Sequence, residues 1–242
     1  DELVISINKR ASLKKTLILT FDDGYLDNFL EAAPLLVSHG VPFAVYVSTG
    51  FIESKEVPWW YLLESILASC HEIRLPDGME INIENISEKQ SAFLSIRQKI
   101  MASDHLAKEY KEWLELNGKA LLIEQNRLFM NWDEIEYLAS LPNATIGAHT
   151  DSHPVLSRLT DDDAFREIHR SKEILESHIG GPVRHFAYPF GGPAAASERE
   201  FRMVEALGFE TAVTTRMGGL YAMQNNRYSL PRCFYRPSLS LK

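Results

Sequence analysis

The sequence predicts an α/β fold built on a parallel sheet. Short apolar runs of strand length recur along the chain, and helical patterns separate them, which is the signature of consecutive βα units. The chain has 242 residues, 45% hydrophobic and 24% charged, enough to bury a core without metal or disulfide staples. No internal repeat or low-complexity stretch breaks the alternation.

The elements follow in order. Leu17-Ile18-Leu19-Thr20-Phe21 reads as a buried strand ending at Asp22. Residues 27–38 read as a helix that stops at His39-Gly40. Pro42-Phe43-Ala44-Val45-Tyr46-Val47 is a second strand, closed by Ser48-Thr49-Gly50. Further strands are expected at 144–148, 183–188 and 210–215. An amphipathic helix is expected at 132–140. Thr160 should cap another, whose acidic first turn (Asp161, Asp162, Asp163) suits the helix dipole and whose end falls at Gly180-Gly181-Pro182. Residues 197–207 give a last helix, stopped by Gly208.

Residues 53–127 break the rhythm and read as a mostly helical insertion after the second strand. Within it, 59–69 and 87–117 are helical and 71–83 is a hairpin turning at Pro76-Asp77-Gly78. Trp59, Trp60 and Tyr61 offer a stacking platform for a ligand, although aromatics at helical spacing usually serve a core. The expected organisation is a single domain over 1–242 carrying this insertion.

Charge and composition exclude several classes of function. With 25 basic against 33 acidic residues the net charge is −8, which argues against a nucleic-acid partner. No apolar run approaches the roughly 20 residues a membrane span requires. No signal peptide is visible, but the chain starts at Asp1 instead of methionine, so cell envelope and cytoplasm both stay open. Cys70 and Cys233 form no metal-binding or disulfide pattern and are expected as small core residues.

Three clusters at predicted strand ends carry chemistry. In Thr20-Phe21-Asp22-Asp23-Gly24-Tyr25, adjacent carboxylates leave the strand in different directions, so one can bind a metal while the other faces substrate. In His149-Thr150-Asp151-Ser152-His153, two histidines four apart can share one ion. Two imidazoles and a carboxylate make a zinc-type site with positions left for water, and other divalent metals suit the same donors. In Phe186-Ala187-Tyr188-Pro189-Phe190-Gly191-Gly192, the fixed exit can aim the Phe190 N–H at a bound oxygen. Working residues of parallel α/β folds gather at these strand ends.

Taken together, the T-F-D-D-G, H-T-x-x-H and A-Y-P-F-G motifs resemble the polysaccharide deacetylase family, also called the NodB homology domain or carbohydrate esterase family 4. The resemblance implies a distorted (β/α) barrel with about seven parallel strands. It implies hydrolysis of an acetyl amide, or ester, on a sugar of a polysaccharide or glycan. Asp23, His149 and His153 would hold the divalent metal, zinc first among the candidates. Asp22 would be the general base for a metal-bound water, and the Phe190 N–H would help to stabilise the oxyanion. The other motif residues, Tyr25, Tyr188, Pro189 and Gly191, are expected at the substrate site.

The chain departs from the family pattern twice. Ala187 stands where many members carry an arginine that orients the base; Arg232, after the last expected strand, is the substitute candidate. No histidine follows His185 to act as the usual general acid, which leaves that role to protonated Asp22, another group or a residue beyond Lys242. Two alternatives therefore remain at this point: hydrolysis of another C–N bond in a small molecule, and a non-catalytic carbohydrate-binding protein. Oligomeric state is not legible.

Overall fold

The computed structural model describes residues 17–119, 127–219 and 226–234. In chain order the strands are β1 (Leu19–Phe21), β2 (Phe43–Val47), β3 (Glu72–Arg74), β4 (Glu80–Asn82), β5 (Ala144–Ala148), β6 (His185–Ala187), β7 (Thr211–Met217) and β8 (Leu230–Arg232). The helices are α1 (Ala33–Ser38), α2 (Thr49–Ile52), α3 (Trp59–Ser69), α4 (Ile86–Ala102), α5 (Asp104–Gly118), α6 (Trp132–Ser140), α7 (Asp161–Ile179) and α8 (Glu198–Ala206).

The chain divides into two compact units, one of residues 1–55 with 128–242 and one of 56–127. The first contains a six-stranded sheet in the order β1-β2-β5-β6-β7-β8, every neighbouring pair parallel. Each strand in this sheet lies beside the next in sequence, with no reversal of order. That is single winding, the connectivity of a barrel, as distinct from the doubly wound open sheet with its switch point. The sheet curls into a half-barrel with helices around it, in keeping with a distorted NodB-like barrel. Six strands are described against the seven or so expected.

Burial follows from this layering. All five residues of β2 are buried, as a central parallel strand covered on both faces requires. Ala44, Tyr46, Ala187, Val213 and Leu230 form one buried cluster on the sheet. Phe186 packs against Tyr188 and Phe209 and is wholly buried, worth about 1.5–3 kcal/mol by area removed from water.

The helices begin and end where local chemistry dictates. Thr160 Oγ1 accepts the Asp163 N–H at 3.2 Å and opens α7, which ends at the left-handed Gly180. Ala164, Ile168, Ser171 and Leu175 of α7 are buried, a spacing that lays one face on the sheet. Asn131 and Glu134 form a capping box at the start of α6. The helix expected over 27–38 has a wider π turn at Asn28–Ala32 before α1. Pro34 explains it: with no N–H and a ring that crowds the preceding turn, the chain widens by one residue ahead of it.

The second unit has its own apolar core. Leu62, Leu63 and Ile66 of α3 pack with Ile96 and Ile100 of α4 and with Tyr110 and Leu114 of α5. Trp59 packs against this core and stacks on Phe93, so it serves the core role. The mostly helical stretch expected over 87–117 forms two helices, because Ser103 is extended and caps α5 through the Leu106 N–H. The hairpin β3–β4 closes at Gly78. Residues 120–126 of the expected insertion lie outside those described.

Two expectations are corrected. Leu230-Pro231-Arg232 does not follow the last strand; it is the last strand among the described residues, and an edge strand tolerates Pro231 because one side needs no donor. Cys233 is exposed and not a core residue, whereas Cys70 is half-buried and packs against the core of the second unit. No helix among the described residues is long and apolar enough to cross a membrane.

Candidate active site

The carboxyl ends of the parallel strands bring the three sequence clusters together. Asp22 and Asp23 leave β1, His149 leaves β5, Tyr188, Pro189 and Phe190 leave β6, and Arg232 ends β8. Asp23 Oδ1 lies 3.4 Å from His149 Nε2 and 3.3 Å from His153 Nε2. The three ligand atoms fall within 4.8 Å of one another, the grouping that can share one ion.

The donor set fits a divalent metal on two observations. Asp23 Oδ1 is buried and makes no hydrogen bond of good geometry among the described residues. His149 Nδ1 sits 2.7 Å from the Ala187 carbonyl oxygen, which can only accept, so Nδ1 carries the hydrogen. In the neutral ring, Nε2 then presents its lone pair to the cluster, the tautomer a metal ligand needs.

The titration of the group agrees with mutual dependence. Burial alone would raise the Asp23 carboxyl, but the two facing imidazoles outweigh it and hold the group well below the usual carboxylate range. Burial pushes His153 down, toward the neutral ring. Burial pushes His149 down as well, but the charges of Asp22 and Asp23 overcome it and raise the net value.

Asp22 has a different environment from its neighbour. Arg232 donates to both its oxygens, Nη1 to Oδ1 at 2.7 Å and Nη2 to Oδ2 at 2.8 Å. The guanidinium is itself held by the Thr214 carbonyl, which accepts from Nε at 3.0 Å, and by Thr20 Oγ1 at 3.4 Å. One plane therefore fixes the carboxylate from β7, β8 and β1 at once. The fork uses one lone pair on each oxygen and leaves others to take a proton.

The third cluster forms a turn stitched to β7. The Phe190 carbonyl accepts from Thr215 Oγ1 at 2.6 Å and from the Gly192 N–H at 2.6 Å. A Cβ at Gly191 would lie 2.6 Å from the Thr215 backbone nitrogen, so only glycine lets the turn approach. The Phe190 N–H donates to nothing among the described residues. Its ring meets that of His153 edge to face at 5.0 Å.

Not every motif residue lies where substrate can touch it. Tyr188 is wholly buried and its hydroxyl donates to the Tyr228 carbonyl at 2.9 Å; strand alternation turns its ring into the core. Pro189 is buried too, and Gly191 acts through its backbone. Tyr25 is half-buried and stacks on Phe129 at 5.0 Å. Phe129 stacks on Phe51 at 4.8 Å, and Phe51 on His153 at 5.7 Å. Sequence reading missed Phe51 and Phe129; Phe51 follows the turn that closes β2, and Phe129 carries no local signal.

Backbone strain marks the same place. Asp23 (φ 72°), Thr150 (φ 66°), His153 (φ 57°) and Phe190 (φ 62°) are four of the five described non-glycine residues with positive φ. Such residues are uncommon and cluster at sites the surroundings over-determine.

Comparison with known proteins decides the family. The polysaccharide deacetylase family matches residues 9–75 and 106–212, more than half of the chain. The chain belongs to the polysaccharide deacetylase family. It is thus a hydrolase of carbohydrate esterase family 4, acting on carbon–nitrogen bonds other than peptide bonds. Among solved structures it is similar to the deacetylase PplD of Streptococcus pyogenes in complex with acetate, with TM-score 0.60 and 17% identity over 96% of this chain and 70% of that one. It is similar to the BpsB deacetylase domain of Bordetella bronchiseptica, with TM-score 0.59 and 15% identity over 96% of this chain and 75% of that one. IcaB from Ammonifex degensii gives 0.54 and 17% over 96% and 72%. At these identities the structures support the fold. No curated protein matches the chain by sequence.

Proposed function

We propose that this polysaccharide deacetylase is a metal-dependent enzyme that removes acetyl groups from an N-acetylated sugar of a glycan. The observation that carries the reading is the pairing of two adjacent carboxylates with opposite tasks. Asp23 faces two imidazoles, and Asp22 faces a guanidinium that leaves it free to take a proton.

Asp23, His149 and His153 would hold the metal, zinc being the ion the donors suit best. When bound, the ion supplies Lewis acidity, which polarises the acetyl carbonyl and acidifies water. Asp22 takes the proton of the attacking water as its oxygen bonds to the carbonyl carbon. Arg232 holds Asp22 in one orientation through that transfer. The Phe190 N–H, unclaimed by any described residue, donates to the oxygen that gains charge. The C–N bond then breaks, and the proton held by Asp22 leaves with the amine. Acetate, present in the similar Streptococcus pyogenes structure, is the other product of this reading. We assign the whole chain to one catalytic domain with an insertion at about 53–127.

The test is a metal analysis of the purified protein beside an acetate-release assay on N-acetylglucosamine oligomers and a panel of small amides. About one divalent ion per chain and acetate release from the oligomers are expected. Turnover of small amides alone would replace the glycan assignment. Glycan binding without acetate release under any added metal would reduce the protein to a binding module.

A further inference from the structure

We infer that Glu167, on the helix α7 behind the histidine loop, is a positioning residue of the metal centre, setting the distance between His153 and Asp23. The inference rests on the proposed metal-binding role of Asp23, His149 and His153.

The loop from His149 to His153 is strained, with Thr150 and His153 both at positive φ. A chain of single residues does not keep that shape unless outside groups hold it. His149 needs no such help: it continues β5, its N–H donates to Val47 at 3.0 Å, and its ring is fixed by the Ala187 carbonyl. His153 lies four residues further on, and its place depends on the turn between.

Glu167 holds the middle of that turn. Its Oε2 accepts the Asp151 N–H at 3.1 Å and the Ser152 N–H at 2.8 Å. Its Oε1 accepts the Ser152 hydroxyl at 2.7 Å. One carboxylate thus gathers three donors from two successive residues, and hydrogen bonds to an ionised acceptor are the strong kind. The other loop contacts pull on neighbouring atoms. Asp151 Oδ1 accepts from Thr49 Oγ1 at 2.6 Å, and Asp151 Oδ2 pairs with Arg170 Nε at 2.9 Å. The Asp151 carbonyl accepts the Gly50 N–H at 2.8 Å. Thr150 Oγ1 receives the His153 N–H at 3.1 Å, which passes the turn's geometry to the ligand. These contacts hold Thr150 and Asp151 by other atoms; among the described residues, only Glu167 accepts the successive N–H groups of Asp151 and Ser152.

Glu167 holds the two residues that lie between Thr150 and His153, so its effect reaches the metal centre through the backbone of the loop. The experiment measures zinc affinity of the full chain by competition with a chromophoric chelator, and the visible spectrum of the cobalt-loaded protein. Glu167→Ala should weaken zinc binding by about 10- to 100-fold, the usual effect of losing an outer partner of a ligand, and should alter the cobalt bands. Glu167→Gln should bind within a few-fold of wild type. Its amide oxygen can accept both N–H groups, while its NH2 donates to the Ser152 oxygen. Glu167→Asp keeps the charge but falls one methylene short, and should bind as weakly as the alanine variant. This variant serves if the alanine protein does not fold. Zinc affinity unchanged in both Ala and Asp variants would overturn the inference, as would Gln failing as badly as Ala. Failure of the wild-type chain to bind zinc or cobalt would instead overturn the metal reading itself.

Discussion

Replacing Arg232 by methionine tests whether the guanidinium aims the catalytic carboxylate. The change removes two charge-assisted bonds to Asp22, at 2.7 and 2.8 Å, and one to the Thr214 carbonyl at 3.0 Å. The Arg232 side chain is 12% exposed and that of Asp22 30%. Exposed pairs are worth about 0–1 kcal/mol, and breaking a buried pair costs about 3–5 kcal/mol. At this intermediate exposure we expect about 2 kcal/mol of lost stability in urea unfolding. The rate should suffer separately. A positioned base contributes about 10²- to 10⁴-fold, and a carboxylate freed to rotate keeps only part of that. We expect kcat/KM for acetate release from an N-acetylglucosamine oligomer to fall about 10- to 100-fold, or about 1.4–2.7 kcal/mol in the barrier. Metal content should stay at the wild-type level, since the hydrogen bonds of Arg232 go to Asp22, Thr214 and Thr20. Arg232→Lys offers a point charge that cannot fork and should fall between the two. If Arg232→Met kept kcat/KM within about twofold of wild type while Asp22→Asn was dead, the positioning role would be refuted.

Three other expectations can be checked. Asp22→Asn should abolish acetate release and leave metal content unchanged, because the amide cannot take the proton; an active variant would move the base elsewhere. Metal affinity should fall as pH drops, because His149 and His153 must give up protons to bind. His149, raised in the metal-free cluster, is the site where proton and metal compete most. Calorimetry in two buffers of different ionisation enthalpy should therefore record proton release on binding, growing toward lower pH. Gly147→Ala should destabilise the fold by about 3 kcal/mol, since the new Cβ would lie 2.5 Å from the Tyr46 ring and 2.9 Å from the His185 carbonyl oxygen. A urea midpoint equal to wild type would show that Tyr46 can move.

How far these residues could be read from sequence depended on the range of the forces involved. The cap at Thr160 and the stop at Gly180 are local and fell where their residue types demanded, whereas the box at Asn131, equally local, went unread. The strand-end clusters were legible because βα alternation alone sends Asp22, Asp23, His149 and Phe190 to one end of a parallel sheet. Arg232 was legible only as a candidate: Pro231 hides the edge strand, and nothing local tells which carboxylate the guanidinium meets. Tyr188 was placed by motif at the substrate site, although strand alternation, read residue by residue, sends its ring inward. Glu167 and Phe129 had no local signal, since both act across contacts that exist only once the distant segments have packed.

The clasp between Arg232 and Asp22 also sets a time order on the chain. The partners are 210 residues apart, and they sit on the two edges of the sheet. At about 5–20 residues per second of synthesis, Asp22 precedes Arg232 out of the ribosome by about 10–40 s. During that interval β1, β2 and β5 can pair and Asp23, His149 and His153 can gather, while Asp22 lacks its guanidinium partner. A nascent chain halted before β8 should therefore take up metal and release acetate no faster than the Arg232→Met protein. Full competence arrives last, with the strand that completes the clasp.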